Sequence, residues 1–258
     1  MYEEFSVVYD AVMSDIPYDM WFERLRRELE RRGKAGGHLC ELGCGTGEMT
    51  ARFCGAGYEV TGIDLSPDML ARAMEKKEED QQILYLNQDM RDFSLHKPAD
   101  VVLCICDSMN YLLREEDLLA AFGSVYENLD DDGIFVFDMK TEYCYRYILG
   151  DVVRFEDGDD YSVIWENTYD RMEKINEYFV TMFLFREDSG LYERYDECHR
   201  QRAYSREEVE HLLSRAGLTL YGCYGEDLEQ ESGEQEERMY YVAGKDSGGS
   251  ISARMEVG

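Results

Sequence analysis

Two acids and three glycines pose the first chemical question. In the stretch "HLCELGCGTGEMT", Glu41 closes a short apolar run, Gly43, Gly45 and Gly47 alternate with Cys44 and Thr46, and Glu48 opens the next segment. Glycines so placed let a backbone loop approach a ligand closely. Asp64 ends the next apolar run, "YEVTGID", where the acid of a dinucleotide fingerprint meets a ribose diol. The rest of that fingerprint fails. Its third glycine comes one place early, and Glu48 stands in its position.

Charge narrows the ligand. No Lys or Arg lies between Glu41 and Ala51. Carboxylates repel a phosphate, and the low dielectric of a cleft enlarges the repulsion. A nucleoside carrying positive charge fits better. S-adenosyl-L-methionine is such a molecule, with an adenine, a ribose, a sulfonium and an α-ammonium but no phosphate. An NAD dehydrogenase is disfavoured on the same grounds.

These residues need a scaffold, and the flanking pattern supplies one. "HLCEL", "YEVTGID", "ILYLN", "ADVVLCIC" and "GIFVFDM" read as strands of near-continuous apolar character. Helices separate most of them: "GEMTARFCGAG", "SPDMLARAMEKKEE" with Ser66 at N-cap and Pro67 at N1, and "EEDLLAAFGSVYENL". Such alternation indicates a parallel sheet covered on both faces. Two helices precede it, over 3–13 and 18–32. From 152 to 203 the pattern changes to "YSVIWENTYD", "INEYFVTMFLFRED" and "LYERYDECHRQRAY", antiparallel strands with "EDSG" as a hairpin turn. Helical alternation returns at "SREEVEHLLSRAGL", with a capping box from Ser205 to Glu208, followed by the strands "LTLYGCY" and "RMYYVAGK".

The expected fold is therefore α/β: a Rossmann-like seven-stranded sheet, mostly parallel with its last strand antiparallel, helices on both faces and an antiparallel β insertion after the fifth strand. Residues 1–151 and 204–245 would form the ligand-binding domain, 152–203 a lid over an acceptor pocket, and 246–258 a flexible tail.

Composition bounds the partners. The chain has 258 residues, 44% of them hydrophobic and 32% charged, enough for one large domain with an insertion. The formal net charge of −29 works against contact with nucleic acid or anionic lipid. No apolar run is long enough to span a bilayer, and no signal-like segment follows Met1. The eight cysteines are scattered with no Cys-x-x-Cys pair, as for small core residues in a reducing cytoplasm. The four histidines form no Cys/His cluster, so no metal is expected. Oligomeric state is not legible.

At this point the chain resembles the class I S-adenosylmethionine-dependent methyltransferases. "ELGCGTGEMT" resembles their first motif, "VTGIDLSPDML" their second, "LNQDMRDF" the adenine-holding segment and "LDDDGIFVFDMKT" the fifth strand with its preceding turn. The opening "YEEFSVVYD…YDMW" is similar to a bacterial subgroup of small-molecule methyltransferases of unassigned substrate. The resemblance implies residue roles. Gly43, Cys44, Gly45 and Gly47 would carry the methionine portion, with Glu41 on its ammonium. Asp64 would take the ribose hydroxyls and Leu65 would line the adenine. Asp89 would accept the adenine amino group, Met90 would pack beside the ring, Cys106 would sit near the sulfonium, and Tyr9 would fold over the cofactor. S-adenosyl-L-homocysteine would be the product.

The acceptor side is less defined. "CDSMNYLL" departs from the Asn-Pro-Pro-Tyr motif of enzymes that methylate amides, so DNA bases and glutamine lose support. Asp107, Ser108, Asn110 and Tyr111 would face the reacting methyl, with Tyr2 and Arg202 as further contacts. His199 is the expected general base, because histidine titrates near neutrality. Regular strand geometry puts His199 and Arg202 on opposite faces. A small-molecule methyltransferase leads. An RNA-modification-related enzyme, a synthase of a modified S-adenosylmethionine and a non-catalytic S-adenosylmethionine-binding regulator remain as alternatives.

Overall fold

The computed structural model describes residues 16–79, 81–233 and 235–246. The expected first helix over 3–13, with Tyr2 and Tyr9, lies outside these residues, as does most of the expected tail.

Apolar strands and capped helices form where the pattern places them. Helix α1 spans Tyr18–Arg31, α2 Glu48–Gly55, α3 Pro67–Lys76, α4 Glu115–Asn128 and α5 Arg206–Arg215. Ser66 caps α3 by accepting a bond from the Met69 amide, and the Ser205–Glu208 capping box opens α5. The strands are β1 Gly37–Leu42, β2 Tyr58–Asp64, β3 Ile83–Asn87, β4 Ala99–Cys104 and β5 Leu129–Lys140, followed by β6 Val153–Asp157, β7 Tyr161–Asp170, β8 Ile175–Arg186, β9 Leu191–Arg202, β10 Leu218–Tyr224 and β11 Arg238–Lys245.

Seven strands form one sheet in the order β10-β11-β5-β4-β1-β2-β3. Strands β1 to β5 pair in parallel, and β11 runs antiparallel to both β5 and β10. Alternate residues feed two cores. Cys40, Leu42, Val102, Phe135 and Phe137 join α4 and α5 on one face, while Leu39, Val101, Leu103 and Val136 join α1 and α2 on the other. Burial on both faces explains why these strands read as continuous apolar runs.

The order reverses between β1 and β4. The chain winds outward from β1 through β2 to β3, then crosses back to β4 on the other side. Loops leaving the carboxyl ends of β1 and β4 therefore diverge and leave a crevice, the place where open α/β sheets bind ligands.

The segment after β5 forms the expected antiparallel insertion, with a fourth strand, β6, beyond the three read from sequence; its sheet order is β6-β7-β8-β9. Strand β6 carries no apolar alternation toward a core and is largely exposed, which is why the pattern did not show it. A short π-helix, Cys144–Leu149, leads into it. Val163, Val180, Met182 and Leu184 pack together on one face of this sheet, against Met69 of α3. No helix among the described residues is long and apolar enough to cross a membrane.

Asn110 ties the insertion to the main sheet. It is fully buried in the 3-10 turn Ser108–Tyr111. Its amide donates to the carbonyls of Lys140 (3.1 Å) and Arg202 (2.8 Å) and accepts from the Lys140 amide (3.0 Å). The ends of β5 and β9 are thereby pinned to the loop after β4. Asn110→Ala leaves three partly buried backbone groups without that partner and is expected to cost about 2–4 kcal/mol. Urea unfolding should show the loss as a lower midpoint at unchanged slope; an unchanged midpoint would remove this tie from the account.

Candidate active site

The glycine loop closes β1 and opens α2 at the crevice. Gly43, Gly45 and Gly47 all have positive φ (68°, 54° and 84°), so each needs glycine's conformational freedom. Their surroundings differ. A Cβ on Gly43 would lie 2.6 Å from Ser108 Oγ, and one on Gly47 2.5 Å from the Tyr85 hydroxyl, whereas one on Gly45 meets nothing within 4 Å. Gly43 and Gly47 let protein pack on protein, whereas Gly45 faces open space. Gly62 on β2, not singled out in the sequence, makes room for Tyr85 and Cys44 beneath the loop.

Asp64 sets the loop's shape. One carboxylate oxygen accepts from the Gly45 amide and the other from the Ser66 amide, both at 2.8 Å. Burial raises its pKa despite these bonds. Each oxygen keeps a lone pair with which a ribose hydroxyl could bond. Asn87 holds the turn by donating to the carbonyls of Asp64 and Leu65.

Glu41 is buried beneath the loop and accepts a hydrogen bond from the Thr50 hydroxyl. Burial pushes its carboxyl up to about 8, with Asp64's charge adding and the Thr50 bond opposing. A buried acid without a cation favours its neutral form. Glu48 is different. It pairs with Arg52 at 2.7 Å and Lys76 at 2.8 Å, which lower its pKa against the opposing effect of burial. The local absence of bases in the sequence is thus made good by the fold, and the preference for a cation over a phosphate rests on Glu41 and Asp64 rather than on Glu48.

The opposite wall comes from the end of β4. The strand stops at Cys104, and Cys106 and Asp107 both take left-handed conformations (φ 65° and 53°). Such strain in non-glycine residues persists only where surroundings hold it. Asp107 receives Arg238 Nη2 at 2.7 Å, Lys140 Nζ at 3.1 Å and Gln201 Nε2 at 2.7 Å, and its amide donates to Asp138 at 2.9 Å. Arg238 also pairs with Asp138. Two carboxylates and two cations are so balanced. Burial raises the pKa of Asp107, but Lys140, Arg238 and Gln201 outweigh it and hold the carboxyl at about 2.

One cavity of about 410 Å³ joins these parts. It is lined by Glu41, Gly43, Cys44, Gly45 and Asp64 at one end, by Cys106, Asp107, Ser108 and Tyr111, and by Trp165, Tyr178, His199 and Gln201 of the insertion. Met69, Trp21, Lys140, Glu226, Glu237 and Arg238 also face it.

Some expected residues lie elsewhere. Gly47, Leu65, Asp89, Met90, Asn110 and Arg202 are absent from the lining. Leu65 is exposed beside Asp64, and Met90 packs against the core near Gly43. Asp89 is bound by Arg91, with Nη2 at 2.6 Å. Asn110, expected to face the methyl, is consumed by backbone carbonyls because the turn after β4 points it inward. Arg202 lies on the other face of β9, as alternation requires, near Glu115 and over the Tyr204 ring. Gln201, Lys140 and Arg238 were missed. The period-two alternation that isolates Arg202 from His199 also puts Gln201 beside it, and that signal was available.

The fit to a cationic nucleoside is chemical. The cavity offers an acid inclined to pair with an ammonium, an acid positioned for a diol and an open glycine between them. Among the described residues no group of three or more His, Cys, Asp or Glu could hold a metal.

Comparison with known proteins agrees. Residues 39–133 match the family described as a methyltransferase domain. A Geobacillus sp. (strain WCH70) protein is 35% identical over 95% of this chain and 99% of its own. Another from Bacillus subtilis (strain 168) is 34% identical over 95% and 97%. Both carry the name "Putative methyltransferase". An S-adenosylmethionine-dependent methyltransferase from Clostridium acetobutylicum superposes with a TM-score of 0.84 at 25% identity, over 95% of this chain and 98% of that one. The fold and crevice thus define a class I S-adenosylmethionine-dependent methyltransferase. The chain belongs to that family, with the Geobacillus and Bacillus proteins as relatives along nearly its whole length.

Glu41 gives a proton-linked expectation. If it pairs with the ligand's ammonium, binding favours the carboxylate over the acid. Its pKa then falls from about 8 in the free protein, and binding releases a proton near neutral pH. Calorimetry of S-adenosylhomocysteine in buffers of different ionisation enthalpy should detect that release, and Glu41→Gln should abolish it. Proton release unchanged in the mutant would place the ammonium elsewhere.

Proposed function

We propose that this methyltransferase acts on a small molecule bound between the glycine loop and the antiparallel insertion. One observation carries the reading: a single cavity is lined both by Glu41, Gly45 and Asp64 and by Trp165, Tyr178 and His199. Its size suits a cofactor with a modest acceptor, and its aromatic walls, with charged groups at both ends, suit a small polar ligand. A relative from Streptomyces fradiae, 25% identical over 84% of this chain, is named a dTDP-3-amino-3,6-dideoxy-alpha-D-glucopyranose N,N-dimethyltransferase, which supports the same acceptor class. The net charge of −29 disfavours a nucleic-acid acceptor and fits a cytoplasmic enzyme of metabolites.

Glu41, Gly45 and Asp64 would hold the cofactor at its ammonium, methionine backbone and ribose. When bound, S-adenosylmethionine supplies a methyl already activated on a sulfonium. The protein's task is then orientation, which can contribute much of the acceleration. Residues 152–203 would act as a lid that closes the acceptor end and excludes water. His199, on the insertion's last strand and facing the cavity, would take a proton from the acceptor.

The test is transfer of labelled methyl from S-adenosylmethionine into a low-molecular-weight cell extract. Label should appear in a small molecule, and Asp64→Ala should weaken S-adenosylhomocysteine binding by about 2–4 kcal/mol, the scale of charge-assisted bonds. Label entering tRNA instead would favour an RNA-modification enzyme. Binding without transfer to either pool would favour a regulator.

A further inference from the structure

Glu197 lies two residues before His199 on β9, on the same face, and its Oε2 is 3.0 Å from His199 Nε2. Both side chains are nearly buried, at 10% and 3% exposure. The contact has ion-pair distance but lies outside hydrogen-bond angles. Such contacts often tighten only when substrate binds. His199 is backed by Tyr111, edge-on at 6.1 Å, and pairs across the sheet with Tyr178.

Several other groups near His199 are poorly suited to take a proton. Lys140 and Arg238 are held charged, chiefly by Asp107 and Asp138 respectively, against the effect of burial. Burial keeps the thiols of Cys106 and Cys144 and the phenol of Tyr178 protonated. Asp107, held at about 2 by the same cations, is a weak base. Glu41 can titrate near neutrality but belongs to the cofactor end.

We propose that Glu197 is a positioning residue for His199, and that the pair deprotonates an acceptor whose reacting atom enters the site carrying a proton, as an amine does when it arrives as an ammonium. The inference rests on the methyltransferase reading of the same cavity. The acceptor's N–H bond breaks and its proton passes to the His199 ring. The freed lone pair bonds the methyl carbon as the C–S bond breaks, its electrons remaining on sulfur. Glu197 stabilises the imidazolium, the role a carboxylate plays in triads. Acceptors whose nucleophile needs no proton removed gain nothing from this arrangement.

Two readouts test it. The first needs no acceptor. NMR of histidine Cε1 resonances, with His199 assigned by its loss in His199→Ala, follows the titration of His199 in the full-length protein. Glu197→Gln should move the midpoint of that titration to lower pH, as loss of an adjacent opposite charge does. Lys140, Tyr111, Tyr178 and Asp107 line the same cavity in both proteins, so the difference reports Glu197. No difference overturns the pairing. The second readout is the pH dependence of label transfer from S-adenosylmethionine into the low-molecular-weight extract. Glu197→Gln should move the acid limb to lower pH by the amount seen in NMR and reduce the plateau. His199→Ala should abolish that limb and reduce the rate by about 10²–10⁴-fold. Both variants should bind S-adenosylhomocysteine as the wild type does. A limb that stays in place in both variants overturns the proposal while leaving the methyltransferase reading intact. A wild type that binds cofactor but labels nothing in the extract overturns that reading, and this assignment with it.

Discussion

Asp107 is held by cations from two different strands, and much of the site hangs on that arrangement. Arg238 at the start of β11 and Lys140 at the end of β5 meet it, Asp138 on β5 balances the second positive charge, and Gln201 on β9 donates to it. Removing one partner of a buried ion pair leaves an uncompensated charge, typically at a cost of about 3–5 kcal/mol. The four charges therefore fix where β4, β5 and β11 end relative to one another. They also hold the left-handed Cys106–Asp107 turn, which forms one wall of the cavity. Through Gln201, and through Asn110 bonding the Arg202 carbonyl, the last strand of the insertion is registered against the main sheet.

The two ends of the cavity handle charge differently. At the acceptor end every strong charge of the Asp107 cluster is answered by a neighbour, so the cluster builds shape without attracting counter-ions. At the glycine loop Glu41 has a hydroxyl donor and, among the described residues, no cation, and burial leaves its carboxyl at about 8. Among the described residues, Asp64 is engaged by backbone amides alone. The unmet electrostatic demand thus lies at the loop, where a ligand bearing an ammonium would satisfy it.

The parallel sheet was legible because burial on both faces writes itself as continuous apolar runs, and the helix starts because Ser66 and Ser205 announce them. Glu41, Gly45 and Asp64 stand out in the sequence because a turn that approaches a ligand demands its residues at fixed local spacing, and the fold gathers them at one end of the cavity. The Asp107 cluster was not, since Arg238 stands 131 residues away in sequence and only the sheet order joins them. The same limit misjudged Glu48, whose partner Lys76 comes from another helix. It also misplaced Asn110, whose type fits a reactive site as well as a structural tie. Strand β6 escaped because an edge strand with little to bury leaves no pattern. His199 could be read from its chemistry, whereas the 3.0 Å approach of Glu197 required coordinates.

A crystal structure with S-adenosylhomocysteine tests the central claim most directly. The account predicts the ligand in the crevice between β1 and β4, its ribose hydroxyls on Asp64, its methionine portion passing Gly45 with the ammonium toward Glu41, and its sulfur opening toward the part of the cavity walled by Tyr111, Tyr178 and His199. Ligand bound in that crevice with its sulfur turned away from the insertion, or bound outside the crevice altogether, would contradict it.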